Sequence, residues 1–360
     1  MGEGLTIRAI TARPVTVPLD RPIRTAVGEI PAAALVLIDV ATEQGVAGRS
    51  YIFAYTKPAL APLARLVDEI GAELVGQSVA PFERMRGFDR RFRLLGWQGL
   101  VGMAVAGLDM AFWDSLARAA DLPLARLLGG APRPIPAYDS FGILDLRADE
   151  PAILASVDAG FRGIKIKIGG ADLARDLADV GAVRTMIGPD VALMVDYNQS
   201  LDPVEARRRI AHLAPFDLTW VEEPVAAEDT AAHARVRTGS PIPIQTGENW
   251  WFPRAAAAAI AAGASDYAML DVMKIGGVTG WLEAAALCKA AALPVSSHAF
   301  VEASAHLLAV TPGALWLEHL DKAARILQRP VRPDQGLVTA AGPGLGLDWD
   351  ETMVRRLLAT

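Results

Sequence analysis

Between residues 135 and 319 one theme recurs eight times: a short apolar run ends in a polar residue, and most runs are followed by a helical stretch. The runs are "IPAYDS", "GIKIKI", "ALMVDYN", "LTWVEEP", "PIQTGE", "YAMLDV", "PVSSHA" and "ALWLEH". Strand–helix alternation of this kind predicts parallel strands, and eight of them predict a closed (β/α)8-type barrel. Local chemistry agrees in "LDPVEARRRIAHLA", where Asp202 suits a helix N-cap and Pro203 the first helical position.

The chain before the barrel reads differently. Strands are expected at 5–17, 35–42 and 46–54, with "EQG" (43–45) as a hairpin turn. From 57 to 128 the periodicity is helical, clearest in "LVGMAVAGLDMAFWDSLARAA". "GGAPRPIP" (129–136) reads as a linker. The expected division is therefore an α+β domain over 1–128, a barrel over 129–324, and a tail over 325–360 that returns to the first domain.

Composition narrows the class. A chain of 360 residues with 52% hydrophobic and 21% charged side chains has enough apolar surface for a large core. A net charge of -6 argues against a nucleic-acid partner. No membrane association is expected: the N-terminus has no apolar signal core, and the run "AAAAAIAAGA" (255–264) is too short to span a bilayer. The single cysteine, Cys288, cannot pair within the chain, and a reducing cytoplasm is the expected compartment.

The polar residues at the run ends are the candidate site. They are Ser140, Lys167, Asp196 with Asn198, Glu222, Glu248, Asp271, His298 and Glu318. In a barrel the C-terminal strand ends converge on one mouth, where the active sites of this fold lie. Asp196, Glu222 and Glu248 are three carboxylates one strand–helix unit apart. Such a cluster repels itself unless a cation joins it, and all-oxygen donors suit Mg²⁺ or Mn²⁺. Lys165 and Lys167 share one strand face, opposite Ile164, Ile166 and Ile168. Each ammonium disfavours the other's charge, as does a nearby metal, so Lys167 is expected to fall from ~10.4 toward about 7–8 and serve as a general base. Asp271 and His298 come from adjacent strands and read as an oriented second base. His212, His233 and His306 fall on helical stretches and are given structural roles. His319 points away from the side of Glu318, and Glu223 is read as a solvated acid or a partner for helix charges.

At these residues the chain resembles the enolase superfamily and, within it, the mandelate racemase subgroup. The similarity is carried by "KIKIG", "MVDYNQSLD", "WVEEP", "TGENW", "MKIGGVTGW", "SSHAFVEASAHLLA" and "LWLEHLD" in family order, with "YDS", "RTAVG" (24–28) and "YIFAYT" (51–56) besides. The resemblance implies a (β/α)7β-type modified TIM barrel with an α+β N-terminal capping domain completed by the C-terminal tail. It implies that Asp196, Glu222 and Glu248 bind Mg²⁺, and that Lys167 and the Asp271–His298 dyad move the α-proton on opposite faces of a small carboxylate substrate. Lys165 then neutralises the substrate carboxylate and Glu318 stabilises the enediolate. Ser140 touches the carboxylate and Asn198 an α-substituent. The cap loops, with Val27 and Tyr55, shape the pocket, and the protein is a homo-oligomer, from dimer up to octamer. Two positions depart from the subgroup's namesake: Phe141 stands for a histidine and Ala299 for a leucine. Both bear on the substrate's side chain rather than on proton transfer.

The expected activity is a Mg²⁺-dependent racemase or epimerase of a 2-hydroxy carboxylate. The apolar segments "IRTAV" and "YIFAY" favour an aryl or alkyl substituent. An acid-sugar dehydratase using the same enediolate is the alternative. A racemase or cycloisomerase with paired lysines, using Lys274, is opposed by Glu248 and His298. A non-catalytic scaffold would lack at least one ligand or base, and none is missing.

Overall fold

The computed structural model describes residues 4–25, 28–170 and 172–359. The chain opens with an antiparallel sheet of β1 (Ile7–Thr25), β2 (Gly28–Thr42) and β3 (Ala47–Phe53). Both long strands exceed the expected 5–17 and 35–42, because β1 and β2 continue as a two-stranded arm in which Ile23 faces Ile30 and Thr25 faces Gly28. The turn at 43–45 is present, with the Thr42 N–H donating to the Val46 carbonyl at 3.0 Å. Helices α1 (Lys57–Ala72), α2 (Pro81–Phe92), α3 (Leu100–Ala119) and α4 (Leu124–Leu127) follow.

Helix α3 is long and apolar enough to cross a bilayer, but 83% of its most apolar stretch is buried within the protein. It lies against β3 at close range: a Cβ on Gly48 would stand 2.2 Å from the Ala111 carbonyl oxygen. Glycine alone permits that approach.

All eight expected runs form strands. They are β4 (Ile135–Ile143), β5 (Gly163–Lys167), β6 (Ala192–Asp196), β7 (Leu218–Glu222), β8 (Ile244–Thr246), β9 (Tyr267–Asp271), β10 (Val295–His298) and β11 (Leu317–His319). Seven helices join them: α5 (Leu146–Asp158), α6 (Leu173–Ile187), α7 (Pro203–Leu213), α8 (Thr230–Thr238), α9 (Phe252–Ala262), α10 (Gly277–Ala290) and α11 (Val301–Val310). The strands pair in parallel from β10 back to β4 and on to β11. Backbone bonds from Ser297 N–H to the Trp316 carbonyl (3.0 Å) and from Leu315 N–H to the Val295 carbonyl (2.8 Å) close the ring. The last strand has no barrel helix after it, which makes a (β/α)7β barrel. Asp202 caps α7 as its sequence predicts, accepting from the Val204 and Glu205 N–H groups at 2.8 and 2.9 Å.

Period-two alternation sorts the strand side chains. Ile164, Ile166, Ile168, Leu193, Val195 and Val221 pack outward against the helices. Tyr138, Met194, Trp220 and Met269 fill the barrel interior. The tail adds β12 (Leu337–Val338), paired with the start of β4, and α12 (Glu351–Leu357) beside β1. Trp349 Nε1 donates to Asp39 at 2.8 Å, and the Ala359 N–H to the Pro14 carbonyl at 2.9 Å, so the tail reaches back to the first sheet.

The cap also touches the barrel mouth directly. A Cβ on Gly142 would stand 2.4 Å from the Arg24 carbonyl oxygen. Arg21 forms two bonds to Asp139 (2.8 and 3.1 Å) and lies over the Phe141 ring, 3.7 Å from its centroid.

Candidate active site

Strand register brings the polar ends to one level. Lys167 on β5 pairs with Asp196 on β6, which pairs with Glu222 on β7. His298 on β10 pairs with Asp271 on β9. One oxygen from each of Asp196, Glu222 and Glu248 lies within 4.8 Å of the other two. All three are buried, and no thiol or imidazole belongs to the set. Burial drives the Glu222 carboxyl well above its usual range, and the neighbouring Asp196 and Glu248 add to the push while Lys165 opposes it. Such a site has an excess of buried negative charge, and three hard oxygen donors fit Mg²⁺.

The two residues expected to carry protons, Lys167 and His298, flank this cluster. Lys167 Nζ contacts Asp196 Oδ2 on one side. On the other, His298 Nε2 lies 3.2 Å from Glu248 Oε2, and its Nδ1 lies 2.5 Å from Asp271 Oδ2. The second oxygen of Asp271 accepts from the N–H groups of Met273 and Lys274 at 2.8 and 3.0 Å. With that oxygen committed to two donors, Asp271 presents an acceptor to Nδ1 and so orients the ring with Nε2 toward Glu248 and Glu318. Lys165 is fully enclosed, 2.9 Å from Glu222 and 2.6 Å from Glu318. Burial opposes charge on Glu318, but Lys165 and His298 outweigh it and hold that carboxyl well below the usual range. Burial likewise opposes charge on Glu248, while His298, Lys274 and Lys167 bring it to about 2.

Several expectations change. Lys167 is not depressed by its protein surroundings. Burial and Lys165 do lower it, but contact with Asp196 outweighs both and raises it above the ordinary lysine value. The two lysines are neighbours inside a carboxylate cluster, so like-charge repulsion is the smaller effect.

Glu223 is neither solvated nor paired with a helix charge. It is 1% exposed, accepts from Asn249 Nδ2 at 2.6 Å, and is raised to about 8 by burial and by Glu248. Its left-handed backbone (φ 34°) turns it back toward the mouth.

Asn198 is held by the carboxylate cluster: its N–H and Nδ2 donate to the two oxygens of Asp196 at 2.7 and 3.0 Å. Phe141 does not line the mouth. It falls on the outer face of β4 and packs with Ile164 and the helix layer, under Arg21. Ala299 contributes its backbone, an N–H donated to Glu318 Oε2 at 2.9 Å from a left-handed conformation (φ 49°).

Ser140, registered beside Lys165, lines a cavity at the rim of the mouth. Tyr55 is turned into the protein, with the Lys274 ammonium 5.0 Å from its ring centroid. Val27 lies outside the described residues.

The cap aromatics are less apolar in their surroundings than their sequence suggests. Tyr51 donates to Glu302 at 2.7 Å, Phe53 lies beneath Lys322, and Tyr55 beneath Lys274. Sequence reasoning missed Asn249, which bridges Glu223, Glu248 and Lys274, and gave no role to Lys322. Both follow strand ends without strand periodicity. Left-handed residues without glycine cluster here too, at Tyr55, Asn198, Gln199, Glu223, Ala299 and Phe300. Strained backbone of this kind gathers at functional sites.

Residues 7–129 match the family model for the mandelate racemase/muconate lactonizing enzyme N-terminal domain, and residues 150–353 match the enolase C-terminal domain-like model. The chain is 34% identical over 230 residues to an L-talarate/galactarate dehydratase from Salmonella typhimurium, a match covering 63% of this chain and 58% of that protein. It is 30% identical to a 3,6-anhydro-alpha-L-galactonate cycloisomerase from Streptomyces coelicolor, over 90% of this chain and 91% of the relative. Among solved structures it resembles an enolase from Bradyrhizobium, complexed with magnesium and mandelic acid, with a TM-score of 0.98 and 57% identity over the whole of both chains.

Proposed function

We propose, from the premise that this chain belongs to the mandelate racemase/muconate lactonizing enzyme family of the enolase superfamily, that it transfers the α-proton of a 2-hydroxy carboxylate between two faces and so racemises or epimerises its substrate. The observation that carries the reading is the placement of two proton carriers, Lys167 and His298, on opposite flanks of the Asp196–Glu222–Glu248 cluster.

Asp196, Glu222 and Glu248 would hold Mg²⁺. When bound there, a divalent cation offsets the three carboxylates, weakens the hold of Asp196 on Lys167, and acidifies the α-proton of a carboxylate it contacts. Lys165 neutralises the substrate carboxylate. As that carboxylate draws on Lys165, Glu318 loses its nearest cation and takes up a proton more readily, as a donor to the enediolate requires. For one enantiomer Lys167 removes the α-proton to Nζ and the His298 imidazolium returns a proton from Nε2 on the other face; for the other enantiomer the roles exchange. Solvent resets both bases. Asn198 keeps Asp196 in place.

A second reading is supported by the ammonium groups of Lys274 and Lys322 over the cap aromatics, which suit a polar substituent. Here His298 protonates a departing β-hydroxyl, and the product is a dehydrated acid.

Proton NMR in D₂O on pure enantiomers of 2-hydroxy acids and acid sugars tests both readings. Racemisation should deuterate the α-carbon of each enantiomer, with His298→Asn restricting exchange to one enantiomer and Lys167→Ala to the other. Exchange of both enantiomers by His298→Asn would defeat the two-base reading.

A further inference from the structure

We propose that Lys322 is a specificity-determining residue that receives a second, anionic group of the substrate, remote from the carboxylate neutralised by Lys165. The proposal rests on the mouth being the place where a carboxylate substrate binds. It names that substrate's class as a 2-hydroxy dicarboxylate rather than an aryl-substituted monocarboxylate.

The first observation is an unpaired buried cation. Lys322 is 6% exposed. Among the described residues no carboxylate lies within ion-pair distance of its ammonium and no acceptor takes a hydrogen bond from it. Its contact is the face of the Phe53 ring, 5.1 Å from Nζ to the centroid. A ring face engages one side of an ammonium that has three donors. With its stem buried and its ammonium unpartnered by protein, Lys322 is suited to receive an anion from the space it faces.

The second observation is space for that anion. A cavity of ≈ 220 Å³ lies between residues 17–23 of β1, the end of β4 and the segment 319–325, with Ser140 and Lys322 in its wall. That is well above the ~10–15 Å³ of such space that one water needs, so a short carbon chain fits. The other cations in that wall are paired: Arg21 with Asp139, Arg325 with Asp20 and Arg332 with Asp321. Lys322 is the one left for a ligand among the described residues.

The third is position. The charged groups acting on Lys322 at longer range are Glu318, Asp271, Glu248 and Lys167, all members of the metal and proton-transfer centre. The ammonium therefore lies in the cavity wall and within electrostatic reach of the centre. Burial lowers its pKa to about 8, against the pull of Glu318, so it still carries its charge at pH 7. An apolar substituent would dry this ammonium without pairing it, which disfavours aryl and alkyl acids.

The test is calorimetric titration of Mg²⁺-loaded wild type, Lys322→Met and Lys322→Arg. The probes are 2-hydroxy acids matched in length, differing in a distal carboxylate or methyl: malate with 2-hydroxybutyrate, 2-hydroxyglutarate with 2-hydroxypentanoate, and 2-hydroxyadipate with 2-hydroxyhexanoate. Wild type should bind at least one diacid about 30-fold more tightly than its partner, the effect of one buried charge-assisted hydrogen bond. Lys322→Met should erase that preference while leaving monoacid binding within about threefold, and Lys322→Arg should keep part of it. Equal binding of diacid and monoacid at every length, or an equal loss of both in Lys322→Met, overturns the proposal. α-Deuterium exchange in the same samples reports separately on the two-base reading. Diacid preference without exchange defeats the proton-transfer reading and keeps Lys322 as the anion site, whereas exchange without preference does the reverse.

Discussion

Replacing Asp271 by Asn should silence one face of the site and spare the other. Asp271 Oδ1 accepts two backbone N–H groups, from Met273 and Lys274, while Oδ2 stands 2.5 Å from His298 Nδ1. An asparagine keeps its carbonyl oxygen on the two N–H donors, because an amide NH₂ there would face donors with a donor. Its NH₂ then points at His298 Nδ1, which must become an acceptor. The ring proton moves to Nε2, the nitrogen 3.2 Å from Glu248. A neutral imidazole protonated there has no lone pair with which to take the α-proton. Loss of one positioned base costs about 10²–10⁴ in rate, or about 3–5 kcal/mol of barrier. The fold should be retained, since the two backbone bonds survive. The assay is α-deuterium exchange by proton NMR in D₂O, enantiomer by enantiomer, with Mg²⁺ present. The enantiomer served by His298 should lose exchange by that factor, and the one served by Lys167 should stay within about threefold, the usual scatter of single-interaction estimates. Equal losses on both enantiomers would show that Asp271 acts on the site as a whole, and no loss on either would show that tautomer control is irrelevant.

Three further outcomes follow from the same geometry. Chelation should abolish turnover and Mg²⁺ restore it, and Mg²⁺ at 100 times its Kd should add about 2.7 kcal/mol to stability in a calorimetric melt; full activity after exhaustive chelation would remove the metal assignment. In metal-free protein, Lys165→Met should destabilise the fold by roughly 3–5 kcal/mol, because Glu222 and Glu318 lose a shared buried cation; an unchanged denaturation midpoint would mean that water reaches these groups. Burial pushes the carboxyls of Asp109 and Glu302 up to about 7, whereas unfolded carboxyls titrate near ~4. The native state then holds more protons across that interval, so stability present below about pH 4 is lost as pH rises through about 7. The melting temperature should fall from pH 5 to pH 8 and fall less in Asp109→Asn; a rise over that range would contradict the burial argument.

How far the chain could be read in one dimension follows from which interactions are local. A strand that buries one face against helices and the other inside a barrel must alternate, and its length is set by the barrel. The eight runs, the polar residues at their ends and the isoleucine–lysine alternation of β5 were therefore legible, as were the caps and turns at Asp202 and 43–45, which depend on neighbours in the chain. Side chains beyond a strand end obey no such period. Glu223 was misread because a left-handed residue reverses its direction after "WVE", and Phe141 because the outer face of β4 is covered by Arg21 from the cap.

What tertiary structure alone decided is partnership. That two lysines share a face follows from strand alternation, but it took the barrel register to put Asp196 against Lys167 and Glu222 and Glu318 around Lys165. Without a bound cation those contacts raise Lys167 where Lys165 alone would lower it, because Coulomb energy depends on distances between strands that the order of residues does not state. The same holds for the cap. Its segment 51–56 is apolar as written, yet folding lays Lys322 over Phe53 and Lys274 over Tyr55, and a pocket's character is set by whatever faces it from every element at once.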